Sequence, residues 1–404
     1  MQNAFLSTLA VVAVVGISGG TGPAFADAIQ DKIDANIAKC LERNCKPLDL
    51  AIKGMEAIPQ AALDMPALRG VRLSRTEVTD LAPLSGVATL DYIDIQSTKV
   101  EDLSPLSEMK QLDSLNITST RVEDLSPIAG LTGLRHLTLS NTAVSDLAPL
   151  VGMEALETLS LSSTRVKDIS GVAGLGRLYR VYLDNTPISD FAPLAEMKGA
   201  YMINLSRTRI DDLSPLSDLV ALVQLQINNT DVTDLAPLSG LAGMRYFEMR
   251  DVRVKDLAPL AGMPKLESLY AGSTPISDLS PLSGLKLLNM LSIRRTEVSD
   301  LSPLADLPSL QRLYIDSTEV SDLSPLAGKT GMKDISLADT GVSDLGPLKG
   351  MNELSSLNIR GTKVTDLSPL MELEGLKNLY LGADDFTGDP AQVKALEDKG
   401  VKLR

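Results

Sequence analysis

From Thr76 to Thr362 a threonine stands at every 22nd residue, with a single exception at Val252. Counted from each threonine, the chain reads Val or Ile at +2, Asp at +4, Leu at +5, Pro at +7 and Leu at +8, with occasional substitutions. Apolar residues follow at +11, +14, +17 and +19, and residues 120 to 141, TRVEDLSPIAGLTGLRHLTLSN, show the unit whole. Fourteen units run from Thr76 to about Ala383, preceded by a half unit, LRGVRLSR, from Leu68 to Arg75. A period this short, kept without one insertion, leaves no room for an ordinary globular core. Such a chain grows in one dimension, so its 404 residues count as one repeat domain rather than two or three globular ones.

The period falls in the range of leucine-rich repeats (LRRs), an α/β architecture in which each coil of a horseshoe has one short strand and one return segment. Residues at +17 and +19, such as Leu137 and Leu139, alternate with polar neighbours, as in a strand with one buried face. Proline at +7 lacks an N–H and suits the first position of a helical turn, so SPL or APL predicts a single 3₁₀ or helical turn on the convex side. Each coil turns about seven apolar side chains inward, each worth about 1.5 to 3 kcal/mol when fully buried. No coil can bury them alone, so both ends of the stack need covers. Residues 27–67, helix-forming at DAIQDKIDANIAKCLE, are expected to supply one cover, and residues 384–404 the other, with Asp389 as N-cap and Pro390 at the first helical position.

The pattern T-x-V-x-D-L-S-P-L-x-x-L-x-x-L-x-x-L-x-L resembles that of bacterial internalin-type leucine-rich-repeat proteins, over residues 68–383. That family usually has Asn where this chain has Thr. The resemblance implies an extracytoplasmic binding module that holds a protein ligand on its concave sheet.

Residues 1–26 carry no charged side chain, run apolar through FLSTLAVVAVVGIS and end in AFA. They read as a signal peptide cleaved before Asp27, with an uncleaved amino-terminal anchor as the alternative. Export to the periplasm or the medium follows, with no membrane span in the mature chain. In an oxidising compartment Cys40 and Cys45, the only two cysteines, are expected to form a local disulfide; two reduced thiols are the alternative.

Stacking brings the Asp residues at +4, Asp80 through Asp366, into a column about 5 Å apart. Like charges that close are tolerated if each carboxylate accepts backbone N–H groups ahead of the proline turn. A row of calcium sites is the competing reading, but calcium takes about six to eight oxygens and the repeat offers one regular acid. The column equals the formal net charge of −14, so all other charges cancel, and nucleic acid is disfavoured as a partner. The threonines are expected to bond the turn backbone through their hydroxyls, which Val252 lacks.

Aromatic residues make up only 3% of the chain, so their placement is informative. All eight tyrosines and twelve of nineteen arginines fall at +15, +16, +18, +20 or +21, the slots that project from the concave sheet or its edge. Tyr and Arg are the residues enriched at interface hot spots. Two candidate ligand-binding clusters result. One is Tyr179, Arg180, Tyr182 and Tyr201, with Met202. The other is Arg245, Tyr246, Arg250, Tyr270, Arg294, Arg295, Arg312 and Tyr314, with Met290. The second surrounds Val252, and core slots there hold Phe247, Met249 and Ala271.

The function expected is non-enzymatic recognition of a protein by a monomer. The alternatives are a carbohydrate or envelope-polymer binder, which would also use tyrosine faces, and a structural spacer. No cofactor, metal or catalytic residue is expected. The sole histidine, His136, lies at +16 between Ser114 and Thr158 of adjacent strands without a triad-like acid, and no phosphate loop, zinc spacing or dinucleotide fingerprint occurs.

Overall fold

A computed structural model describes residues 23–43, 46–65, 68–382 and 386–404. Seventeen short strands form one open parallel sheet, beginning at Leu48–Asp49 and Gly70–Arg72 and ending at Asn378–Tyr380 and Lys402–Leu403. Each strand pairs with the one before and the one after it in the chain, and from Gly70–Arg72 to Asn378–Tyr380 the register is one repeat, as in Leu115 opposite Leu137. The middle residue of each repeat strand, at +17, is buried, and so is the apolar residue at +19. The fold is therefore the leucine-rich-repeat solenoid that the period predicts.

On the return path, fourteen 3₁₀ turns run from Ala82–Leu84 to Ser368–Leu370. Thirteen contain the expected proline. The exception is Ser170–Val172, where a Cβ at Gly171 would sit 2.8 Å from the Leu147 carbonyl oxygen.

The aspartate column has the structural role expected of it. All fourteen carboxylates accept the backbone N–H two residues on, at 2.7–2.9 Å. In Asp102, Asp124, Asp212, Asp300 and Asp322 the following serine hydroxyl, then its backbone N–H, hold the carboxyl below its ordinary range. In Asp168, Asp278 and Asp366 the backbone N–H is the larger cause. Each carboxylate stabilises the turn that opens the convex segment, which is why the repulsion along the column is tolerated.

The threonine column closes the other turn. Thirteen Thr Oγ1 groups donate to the carbonyl three residues earlier at 2.5–2.8 Å, and twelve of these threonines are buried. Val252 occupies the same buried place at 3% exposure, so the Met249 carbonyl has no hydroxyl from residue 252 to accept. The backbone has not adjusted to the loss: Asp251 has φ 54, like its counterparts. Phe247, Met249 and Ala271 are all fully buried, the small Ala271 lying one coil after the two large side chains, an exchange of volume between neighbouring coils.

One feature of the turn escapes the sequence pattern. The residue before each threonine, at +21, is left-handed: thirteen non-glycine residues have φ between 54 and 61, among them Arg75, Arg207 and Arg295, and Gly361 has φ 66. An L-residue held there costs of order 1–3 kcal/mol. The conformation persists because the next coil holds it, as when Arg295 donates its N–H to the Asp316 carbonyl at 2.8 Å.

At the amino end, helix α1 (Pro23–Arg43) buries Ile33 and Cys40 and passes over the Ala26–Asp27 bond at which cleavage is expected. Residues 1–22, most of the expected signal peptide, lie outside the described residues, as does Cys45, the expected partner of Cys40. A short helix, α2 (Gln60–Leu63), precedes the first coil. At the carboxyl end, helix α3 (Pro390–Asp398) starts as the sequence predicts, with the Asp389 side chain accepting the Ala391 N–H at 2.8 Å. Its Leu396 is buried, and Lys399 Nζ donates to the Met371 and Leu373 carbonyls at 2.7 and 3.0 Å, tying this end of the chain to the last coil. Among the described residues no helix is long and apolar enough to cross a membrane.

Candidate functional site on the concave face

The sheet register merges the two sequence clusters into one surface. At +16 the row runs Arg180, Met202, Gln224, Tyr246, Ser268, Met290 and Arg312, each residue opposite the next. At +18 it runs Tyr182, Asn204, Gln226, Glu248, Tyr270, Ser292 and Tyr314. Tyr179 and Tyr201 flank the first row at +15, joined through the Tyr201 N–H and the Tyr179 carbonyl at 2.9 Å. Tyr201 and Tyr246, at 40% and 38% exposure, offer the most open aromatic surface. Met202 and Met290 are 7% and 6% exposed and form floor rather than contact.

Arginine and tyrosine meet face to face along this surface. The guanidinium carbon of Arg180 lies 4.9 Å from the Tyr179 ring centre, that of Arg250 4.5 Å from Tyr270, that of Arg294 4.6 Å from Tyr314 and that of Arg245 5.8 Å from Tyr246. A cation over an aromatic face is attracted by the ring quadrupole, and the planar guanidinium also stacks. These pairs hold long side chains against their neighbours on the face.

Acids on the same face, which the Tyr and Arg pattern does not include, neutralise part of it. Glu267 forms an ion pair with Arg245, with Nε at 2.8 Å, and accepts the Tyr246 hydroxyl at 3.1 Å. Asp316 Oδ2 lies 2.6 Å from Arg294 Nε, close enough for an ion pair but not aligned as a hydrogen bond. Glu248 lies 3.8 Å from Arg250 and accepts the Asn228 amide at 3.1 Å. Asp334 accepts the Tyr314 hydroxyl at 2.9 Å; burial and that bond push the Tyr314 phenol up to about 12. The Tyr246 phenol is also raised, chiefly by its bond to Glu267.

Three of the predicted arginines, Arg245, Arg250 and Arg294, thus have their charge answered within the face. Among the described residues Arg180, Arg295 and Arg312 have no ion pair, and Arg295 stands apart at the left-handed turn rather than on the sheet. A sequence signal for the acids did exist. Arg69 with Asp91, Arg135 with Glu157, Arg245 with Glu267 and Arg294 with Asp316 are all one repeat apart.

The surface is polar, and most of its charged groups are paired within it, Asp316 Oδ2 being the buried oxygen without a hydrogen bond among the described residues. His136 stands in register between Ser114 and Thr158, and nearby Glu157 is already paired with Arg135 at 2.8 Å. Among the described residues no group of three or more His, Cys, Asp or Glu is placed to hold a metal ion. Two open hollows, of about 530 and 670 Å³, lie away from this face and are lined by loop residues that follow the 3₁₀ turns.

No family model and no curated protein matches the chain by sequence. Solved structures do. An internalin, InlF, from Listeria monocytogenes superposes with a TM-score of 0.65 at 24% identity, covering 91% of this chain and 96% of its own. A leucine-rich-repeat protein of Leptospira interrogans gives a TM-score of 0.81 at 17% identity, covering 91% and 98%. The plant peptide hormone receptor RGFR1, in complex with RGF2, gives 0.63 at 15% identity over 81% of this chain and 61% of its own. Repeat pattern, sheet and superpositions agree: the chain is a leucine-rich-repeat solenoid that resembles bacterial internalin-type proteins in fold.

Proposed function

We propose that the chain is a non-enzymatic binding protein that takes a protein ligand on its concave face, outside the cytoplasm. The observation that carries this reading is the ordered Tyr–Arg–acid network between Tyr179 and Tyr314. Its side chains are fixed by stacking and ion pairs within the face, yet Tyr201 and Tyr246 stay open to solvent. Side chains ordered in advance lose less freedom on binding, so more of the contact energy becomes affinity. The likeness to a receptor solved in complex with RGF2 supports a polypeptide ligand, and the likeness to an internalin supports work beyond the cytoplasm.

The same proposal takes residues 1–26 as a leader, 27–67 and 384–404 as covers of a monomeric stack over 68–383, and Cys40 with Cys45 as a disulfide. Mass spectrometry of the chain from its native envelope or medium checks two of these points, expecting an amino terminus at Asp27 and a mass two hydrogens below that of the fully reduced chain.

Immobilised chain, with Tyr246→Ala/Tyr270→Ala as control, tests the ligand against native envelope extract and a glycan array in parallel. A polypeptide retained by the natural chain and lost from the double variant is the expected result. Glycan binding lost in the same variant would instead favour the carbohydrate reading. Equal retention by both forms would remove the concave face as the site.

A further inference from the structure

Along the +16 row the residues mirror one another about Tyr246: arginine, methionine and a small or amide residue on each side, with Arg180 and Arg312 at the two ends. Both end arginines are exposed. Arg180 is stacked on Tyr179, and Arg312 stands opposite Asp334, whose carboxylate is occupied by the Tyr314 hydroxyl at 2.9 Å. Neither has an ion-pair partner among the described residues, whereas Arg245, Arg250 and Arg294 between them do. Six strand spacings of about 4.8 Å set the two arginines about 29 Å apart along the sheet.

From this we infer, on the footing of the concave-face reading, that the partner is a polypeptide segment lying across the strands with a carboxylate near each end, about 29 Å apart, and an apolar or aromatic residue midway. The end carboxylates meet Arg180 and Arg312 as fork-shaped hydrogen-bonded pairs, and the central side chain rests on the Tyr246 ring. The ring is already held in place by Glu267 and Arg245. The net charge of −14 repels a partner acidic throughout, so two localised carboxylates fit where a polyanion does not. A segment spanning that distance is about 9 residues if extended, or about 19 if helical.

A displayed library of random peptides about 24 residues long accommodates both conformations. Peptides selected on the full chain are then titrated by calorimetry against the natural protein, Arg180→Gln, Arg312→Gln, the double variant and Tyr246→Ala. The expected outcome is enrichment of Asp or Glu at two separated positions. Kd weakens about tenfold for each glutamine and about a hundredfold for both, because sites this far apart add. Loss of binding in Tyr246→Ala with no change in the arginine double variant overturns the two-carboxylate partner and leaves the concave face standing. Binding unchanged in every variant overturns both. Failure to select any binder overturns the inference as well, and retention of the natural circular dichroism spectrum in each variant assigns the effects to contact rather than folding.

Discussion

The two sides of each coil follow different rules. On the turn side every coil repeats the same chemistry: an aspartate accepting an N–H and, in all but one coil, a threonine hydroxyl donating to a carbonyl. Along the +16 and +18 rows of the concave side no two adjacent coils carry the same residue, and Arg180, Met202, Gln224 and Tyr246 follow one another along a single row. The turn side is uniform because it satisfies backbone groups, and the backbone is the same in every coil. The concave side bears that duty in only some coils, as where Asn116 and Asn204 accept the N–H two residues on, so its side chains are free to vary.

The sharpest separation of the two rules comes from the interior beneath them. Leu291, the middle of the Met290–Ser292 strand and fully buried, has stacked coils on both sides. Leu291→Ala is expected to cost about 2–5 kcal/mol in urea unfolding. The concave double variant Tyr246→Ala/Tyr270→Ala is expected to reverse that pattern. Its ligand binding should fall by about 2 kcal/mol or more while its unfolding midpoint hardly moves. A double variant that unfolded as early as Leu291→Ala would make the tyrosines structural and erase the distinction.

Acid tests mainly the turn side, with Glu77 and Glu157 the lowered carboxyls outside the column. Eight column aspartates have folded-state pKa values lowered by serine hydroxyls and backbone N–H groups. A depressed carboxyl contributes stability above its unfolded pKa and loses it as pH falls through the folded value. The melting temperature should therefore drop steeply between about pH 5 and pH 2. Replacing Asp278, Asp300 and Asp322 by asparagine should flatten that fall, since the amide oxygen still accepts the N–H but does not titrate. An unchanged slope would show that the column is not what acid attacks. Tyr314 works in the opposite sense: its pKa is raised to about 12, so its contribution holds below about pH 10 and fades as pH climbs through 12.

Much of this was open to reading because the period fixes register. Once each threonine is counted as zero, stacking places Asp300 beside Asp278 and Asp322, and Pro303 marks the turn without reference to any structure. What escaped was of two kinds. The left-handed residues at +21 leave little mark in the sequence, since Arg295, Ser317 and Asp339 all adopt φ near 55 when the next coil supplies a carbonyl. The acids are the second kind: Glu267 lies one repeat length after Arg245, and the Tyr and Arg slots alone leave every arginine without its pair. Shape came from the repeat, and the charge balance of the face needed the pairs across it.

Val252 is where the turn-side rule lapses, and it lies beneath the most elaborate part of the concave side. The site keeps the left-handed Asp251 and the buried, branched side chain of its column, so a threonine there would need no rearrangement. Its hydroxyl would reach the Met249 carbonyl as thirteen others reach theirs at 2.5–2.8 Å. Val252→Thr is accordingly expected to stabilise the chain by about 0.5–1.5 kcal/mol in urea unfolding, with Thr296→Val costing a similar amount in the opposite direction. Ligand affinity should not change in either variant, because neither hydroxyl reaches the concave surface. If Val252→Thr lowered affinity while raising stability, the slack in this one turn would belong to the binding face, and the two sides would be coupled at the only coil where the column is broken.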